Sequence, residues 1–173
     1  FTDLRQACVL LIGAGETIEL AARHLADKNV RRLIVANRTL ENAQELAGRY
    51  GAYAISLADL PRHLAEADIV ITSTAARQPV VTRRMVADAI AARRRRPMFM
   101  VDIAVPRDIE PEVAHLDDVY LYGIDDLKQV IDENRRSREL AAREADAIID
   151  LQVERYMAWR RALSLRNPAV DMR

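Results

Sequence analysis

The stretch that most constrains this chain is Cys8-Val9-Leu10-Leu11-Ile12, followed at once by Gly13-Ala14-Gly15. Five apolar residues with no polar face read as a strand buried on both sides, the pattern of parallel strands covered by helices. Gly13 permits a tight turn off that strand, and Gly15 lets the backbone come close to a phosphate. A helix is expected over 17–28, and its unpaired N–H groups and partial positive charge would open onto the glycines. The third glycine of a complete dinucleotide fingerprint falls at position 18, where the chain has Ile18. The motif is therefore GxGxxI, and slightly wider helix–strand packing is expected there. A lone GxG is a weak signal, but it is much stronger between a strand and a helix.

Strand-like runs at 8–12, 32–36, 52–56, 69–72, 98–103 and 119–122 alternate with helical stretches at 17–28, 40–49, 57–66 and 82–93. Such alternation implies βαβ units and a parallel sheet. The expected class is α/β: a Rossmann doubly wound parallel sheet of order 3-2-1-4-5-6, followed by a long C-terminal helix. Gly51 should cap the second helix in the left-handed conformation. From Asp126, with Gln129 in the capping-box position, apolar residues such as Leu127, Ile131, Leu140, Ile148, Tyr156 and Leu163 recur at helical spacing until Pro168. About 38 helical residues would measure roughly 57 Å, more than a small domain can bury. The expected division is a dinucleotide-binding domain over 1–124 and a long helix over 125–173.

Composition narrows the partners. The 26 basic and 26 acidic residues cancel, so no bulk attraction to nucleic acid or anionic membrane is expected. One cysteine, Cys8, cannot form an intrachain disulfide, which makes the cytoplasm the default compartment. No apolar run of membrane-spanning length and no signal peptide is visible. A chain that starts at Phe1 and ends in helical sequence is expected to be a fragment of a longer protein.

The second strand decides between nicotinamide cofactors. An NAD-binding domain usually ends that strand in an acid that holds the adenosine ribose. Here Leu33-Ile34-Val35-Ala36 ends in Asn37-Arg38-Thr39. No acid repels a 2′-phosphate, and Arg38 offers a planar fork to grip one. Asn37 and Thr39 add side-chain donors, and Thr39 is expected to cap the next helix. NADPH is therefore the expected cofactor.

Small residues Ser73, Thr74, Ala75 and Ala76 follow the fourth strand and leave room for ribose and nicotinamide. In the fifth strand Asp102 interrupts an apolar run and is expected to be structural, while Arg107 and Asp108 either pair or shape the nicotinamide pocket. Arg93, Arg94, Arg95 and Arg96 read as a solvated run at a helix C-terminus, with tRNA phosphate contact as the alternative. His24, His63 and His115 stand singly, so neither a metal site nor a catalytic residue is expected. Cys8 opens a buried strand and reads as a core residue.

Taken together, VLLIGAGETIELAARHL, LIVANRT, ADIVITSTA, RRRRPMFMVDIAVPRDIEPEV and DDVYLYGIDDL resemble glutamyl-tRNA reductase across most of the chain. The stretch over 102–111, DIAVPRDIEP, is the most specific, whereas Asn-Arg-Thr alone fits shikimate dehydrogenase equally well. The resemblance implies NADPH-dependent reduction of glutamyl-tRNA to glutamate-1-semialdehyde, in tetrapyrrole (5-aminolevulinate, haem) biosynthesis. It also implies a separate catalytic domain with a cysteine nucleophile, a spinal helix, and a homodimer formed through the C-terminal helical region. Glutamyl-tRNA would be held mainly by domains outside this chain, and glutamate-1-semialdehyde aminotransferase is a candidate further partner. Carried over by position, Gly13, Ala14, Gly15, Glu16, Thr17 and Ile18 would hold the pyrophosphate. Asn37, Arg38 and Thr39 would hold the 2′-phosphate side, and Ser73, Thr74, Ala75, Val105 and Pro106 would lie near the nicotinamide. This chain alone is then expected to bind NADPH without reducing glutamyl-tRNA. The competing readings are another NADP-dependent oxidoreductase of the shikimate-dehydrogenase kind, and a non-catalytic binding module.

Overall fold

The computed structural model describes residues 3–166. Six strands, β1 (Cys8–Ile12), β2 (Arg32–Asn37), β3 (Tyr53–Ser56), β4 (Ile69–Thr72), β5 (Met98–Asp102) and β6 (Val119–Gly123), pair in parallel in the order β3-β2-β1-β4-β5-β6. The helices are α1 (Glu16–Asp27), α2 (Leu40–Tyr50), α3 (Leu60–Leu64), α4 (Arg83–Ala92) and α5 (Ile124–Arg166). This is the doubly wound arrangement expected. One helix differs: the stretch expected over 57–66 is a 3-10 turn, Leu57–Asp59, leading into the short α3. Pro61 has no N–H to return to the carbonyl four residues back, so a regular helix cannot run through that position.

Alternation along the strands divides the core. Val9, Leu11, Leu33 and Val35 face Ile18 and Ala22 of α1 and Ala43 and Leu46 of α2. Leu10, Ile12, Ile34 and Met100 face Leu60 and Leu64 of α3 and Val86 and Ile90 of α4. Every side chain of β1 is buried, as its unbroken apolar run requires. Gly51 takes φ +64° at the end of α2, and its N–H reaches the Ala47 carbonyl.

The arginine run departs from its reading as a solvated stretch. Arg94, Arg95 and Arg96 are exposed, but Arg93 is buried and folds back under the sheet. Its Nη2 donates to Asp68 Oδ1 at 2.7 Å and to the Pro97 carbonyl at 3.0 Å, and its Nε donates to the Arg96 carbonyl at 2.8 Å. Its Nη1 donates to the Ala67 carbonyl. The other Asp68 oxygen accepts from the Cys8 N–H at 3.0 Å, so one buried ion pair ties the end of α4 to the starts of β1 and β4. Burial pushes the Asp68 carboxyl up, but the Cys8 N–H and the guanidinium groups of Arg93 and Arg96 outweigh it and hold it below its ordinary range. Arg93 is thus committed to the fold and unavailable to a nucleic acid.

By contact the chain divides into two units, Phe1–Leu127 and Lys128–Arg173. Asp126 does not cap α5 with Gln129 as its partner. The helix starts at Ile124, and the Asp126 carboxylate reaches back to accept from the Gly123 N–H at 2.7 Å. That satisfies a donor for which the first helical turn has no backbone partner. In the second unit the helix continues to Arg166, and side chains 131–163 are all exposed, Ile131, Leu140, Ile148 and Trp159 among them. The stop expected at Pro168 lies outside the described residues. Among the described residues no helix is long and apolar enough to cross a membrane.

Candidate functional site

A cavity of about 520 Å³ opens at the C-terminal ends of β1, β2 and β4, beside the point where the strand order reverses. Three loops line it. Gly13, Ala14 and Gly15 follow β1. Asn37, Arg38 and Thr39 close β2 and lead to Asn42 in α2. Ser73, Thr74, Ala75 and Ala76 follow β4, with Leu57 and Val80 completing the wall. The lining carries the Arg38 guanidinium and no carboxylate.

The glycines do different work. Gly13 has φ +118°, and a Cβ built there would overlap the Ser73 carbonyl oxygen. Its N–H donates to the Ala36 carbonyl at 2.8 Å, so the turn is fixed against β2 while it presses on the loop after β4. Gly15 is the N-cap of α1, and a Cβ there would meet nothing within 4 Å. With no side chain, it leaves the first N–H groups of α1 open to the cavity.

Thr39 stands at the N-cap of α2 with extended backbone, but its side chain makes no cap hydrogen bond, contrary to expectation. Asn37 Nδ2 instead donates to the Thr39 carbonyl at 3.1 Å. Two helix N-termini without side-chain caps therefore meet one cavity, at Gly15 and Thr39. Each favours an anion through unpaired N–H groups and the helix dipole. Such a site suits a ligand with two separate phosphate groups, and the open space at Gly15 is room for the closer approach.

Two buried carboxylates support the third loop. Asp102 accepts from Thr72 Oγ1 at 3.0 Å, from the Ala104 N–H at 3.1 Å and from the Ile109 N–H at 3.0 Å, the structural role expected of it. Asp108 does not pair with Arg107. It is fully buried and accepts from the Thr74 N–H at 2.7 Å and the Thr74 hydroxyl at 2.5 Å. Burial pushes its carboxyl above the ordinary range; the Thr74 bonds oppose that shift and the charge of Asp102 adds to it.

The cavity gathers Gly13, Ala14, Gly15, Asn37, Arg38, Thr39, Ser73, Thr74 and Ala75. Glu16 and Thr17 are exposed in the first turn of α1, outside the lining. Ile18 is fully buried beneath the loop, its Cγ1 3.3 Å from where a Gly13 Cβ would stand, so only its backbone is near the helix terminus. Val105 and Pro106 are exposed on the loop after β5 and do not line the cavity. Asn42, Leu57 and Val80 also line it without having been marked by the sequence motifs, which likewise left Asp108 without its partner Thr74. Asn42 lies in the first turn of the helix that follows Thr39, a signal that was available. Nothing local pairs Asp108 with a threonine 34 residues earlier. Cys8 is buried at the far end of β1, and burial pushes its thiol up, which suits a core residue and not a nucleophile.

The family described as shikimate / quinate 5-dehydrogenase matches residues 1–130. A glutamyl-tRNA reductase of Stenotrophomonas maltophilia is 56% identical over all 173 residues, and one of Teredinibacter turnerae is 58% identical. The chain spans 40% and 42% of those two proteins. Among solved structures, glutamyl-tRNA reductase from Methanopyrus kandleri is 37% identical with a TM-score of 0.76, over 95% of this chain and 42% of that one. The nucleotide binding domain of glutamyl-tRNA reductase from Thermoplasma volcanium shares the fold at 20% identity and a TM-score of 0.57, over 77% of this chain and 86% of that one.

Proposed function

The chain belongs to the shikimate / quinate 5-dehydrogenase family, and on that premise we propose that it is the NADPH-binding part of a glutamyl-tRNA reductase. The observation that carries the cofactor reading is the cavity itself: two uncapped helix N-termini, one guanidinium and no carboxylate. NADPH, when bound, supplies the hydride that reduces the glutamyl group of glutamyl-tRNA to glutamate-1-semialdehyde for tetrapyrrole synthesis. Gly13, Ala14 and Gly15, with the first N–H groups of α1, hold the pyrophosphate. Arg38 holds the 2′-phosphate, with Thr39 and Asn42 at the start of α2. Ser73, Thr74 and Ala75 form the wall for the nicotinamide half; Val105 and Pro106, outside the lining, are carried to that side by the family likeness alone.

The likeness to glutamyl-tRNA reductases runs over the whole chain, past the family match that ends at residue 130, which favours this reading over a shikimate-dehydrogenase-like oxidoreductase. We assign residues 1–124 to the cofactor domain and 125–173 to a spinal helix leading to a dimerisation region. The exposed Ile131, Leu140, Ile148 and Trp159 suit a homodimer contact. The buried, unpaired Cys8 suits the cytoplasm. The aminotransferase that consumes the semialdehyde is the partner this reading adds.

Calorimetric titration with NADPH and NADH, beside an Arg38→Ala variant, tests the assignment. The chain should prefer NADPH, and the variant should lose roughly tenfold to a hundredfold in NADPH affinity, the worth of a hydrogen-bonded charge pair, with NADH little changed. Equal affinity for the two nucleotides, or a preference that survives in the variant, would overturn it.

A further inference from the structure

We propose that Asp108 is a positioning residue for the nicotinamide half of the site, acting through Thr74 to hold the loop that walls the crevice. The inference rests on the NADPH reading above and adds a residue to it. Thr74, Ala75 and Ala76 line the cavity in a stretch with no regular secondary structure, so the strand ladder does not set their positions. The Asp108 side chain does. One oxygen accepts the Thr74 N–H and the other the Thr74 hydroxyl, whose own oxygen accepts from the Ala76 N–H at 3.1 Å. The Asp108 carbonyl accepts from the N–H groups of Val80 and Val81, at 2.8 and 3.0 Å. A single residue thus pins both ends of the loop after β4.

On its other side this loop abuts the glycine turn, where Gly13 lies against the Ser73 carbonyl and the Ser73 N–H donates to the Ile12 carbonyl at 3.0 Å. The width of the crevice at that end is therefore set by where Asp108 places Thr74. Asp108 is itself anchored, because the Ile109 N–H beside it donates to the buried Asp102. A carboxyl buried this deeply is costly unless its oxygens are satisfied, and all its side-chain bonds go to the one threonine on the cavity wall. A fixed acceptor pair that holds both the backbone and the side chain of one residue is the means of placing that residue to within a fraction of an ångström.

The test compares NADPH with 2′-phospho-ADP-ribose, which lacks only the nicotinamide ring, in the unaltered chain and in Asp108→Asn and Thr74→Val. Both variants should bind 2′-phospho-ADP-ribose within roughly twofold of the unaltered chain while losing about tenfold in NADPH affinity. They should also lose the change in nicotinamide fluorescence on binding. A purely structural role would lower melting temperature and weaken both ligands alike, and that result, or no effect on either ligand, overturns the proposal. If Asp108→Asn does not fold, Thr74→Val decides by the same comparison, since it removes the two bonds of the hydroxyl, to Asp108 and from the Ala76 N–H, and keeps the Thr74 N–H on Asp108. Failure of the unaltered chain to bind NADPH would overturn the cofactor reading itself, and with it this one.

Discussion

Gly13→Ala should destabilise the fold by about 3 kcal/mol or more and abolish NADPH binding, while Gly15→Ala should leave the fold nearly intact and still lose the cofactor. Both residues belong to one motif, but the structure separates them. At Gly13 the backbone has φ +118°, which L side chains rarely adopt, and the new Cβ would overlap backbone, the Ser73 carbonyl, and not a yielding side chain. The turn is held from two sides, by Gly13 N–H to Ala36 and by Ser73 N–H to Ile12, so a shift that relieves the overlap breaks one of these bonds. Beneath it, Ile18 closes the remaining space. At Gly15 the φ of −83° suits any residue and the space is open, so alanine at this N-cap should cost less than about 1 kcal/mol. That open space is the approach proposed for the pyrophosphate, and filling it should weaken NADPH by at least tenfold. Urea denaturation and NADPH titration of the two variants check both halves. A Gly13→Ala variant as stable as the parent would refute the account of the turn.

Arg93→Met should cost about 3–5 kcal/mol at neutral pH, as removing one partner of a buried ion pair does. Methionine fills part of the volume but leaves the Asp68 carboxylate and the carbonyls of Ala67 and Pro97 short of donors. Arg96, 3.9 Å from Asp68, is exposed and can replace part of the charge, which argues for the lower end of that range. The effect should depend on pH in a definite direction. The folded chain holds the Asp68 carboxyl below its ordinary value, so its contribution is complete above the unfolded pKa of about 4 and is lost as pH falls through the lower folded value. The stability gap between parent and variant should therefore be widest near neutrality and narrow below about pH 4. Denaturation midpoints at neutral and acid pH measure it. A gap independent of pH would mean that the carbonyl bonds, and not the ion pair, carry the effect.

Much of the sheet is legible because its signals are local. An unbroken apolar run such as Cys8–Ile12 has no face to give to water, so it must lie between two layers, and β1 is buried throughout. Gly51 after the second helix marks a left-handed cap because few other residues adopt that backbone without strain, and it adopts it. The acid missing after β2 and the arginine in its place mark the cofactor preference because the recognising side chain sits at a fixed distance from the glycine turn. What the chain pattern leaves open is which of several equivalent groups is used. Four consecutive arginines look alike in sequence, and only the path of the chain after α4, folding beneath the start of β4, selects Arg93 for burial. Asp126 shows the same at a helix end: several residues are able to cap, and the starting point of the helix assigns the role.

The residues alone therefore determined the α/β class, the strand order and the glycine turn, since each follows from patterns within one or two elements. Tertiary structure alone decided that Asp108 meets Thr74, that Arg93 meets Asp68, and that Ile18 lies beneath the glycine turn. The first two join groups 34 and 25 residues apart, and the last depends on how α1 settles against β1. Hydrogen bonds and ion pairs between distant segments leave no periodicity in the chain, because their geometry exists only after the sheet has brought the strand ends together.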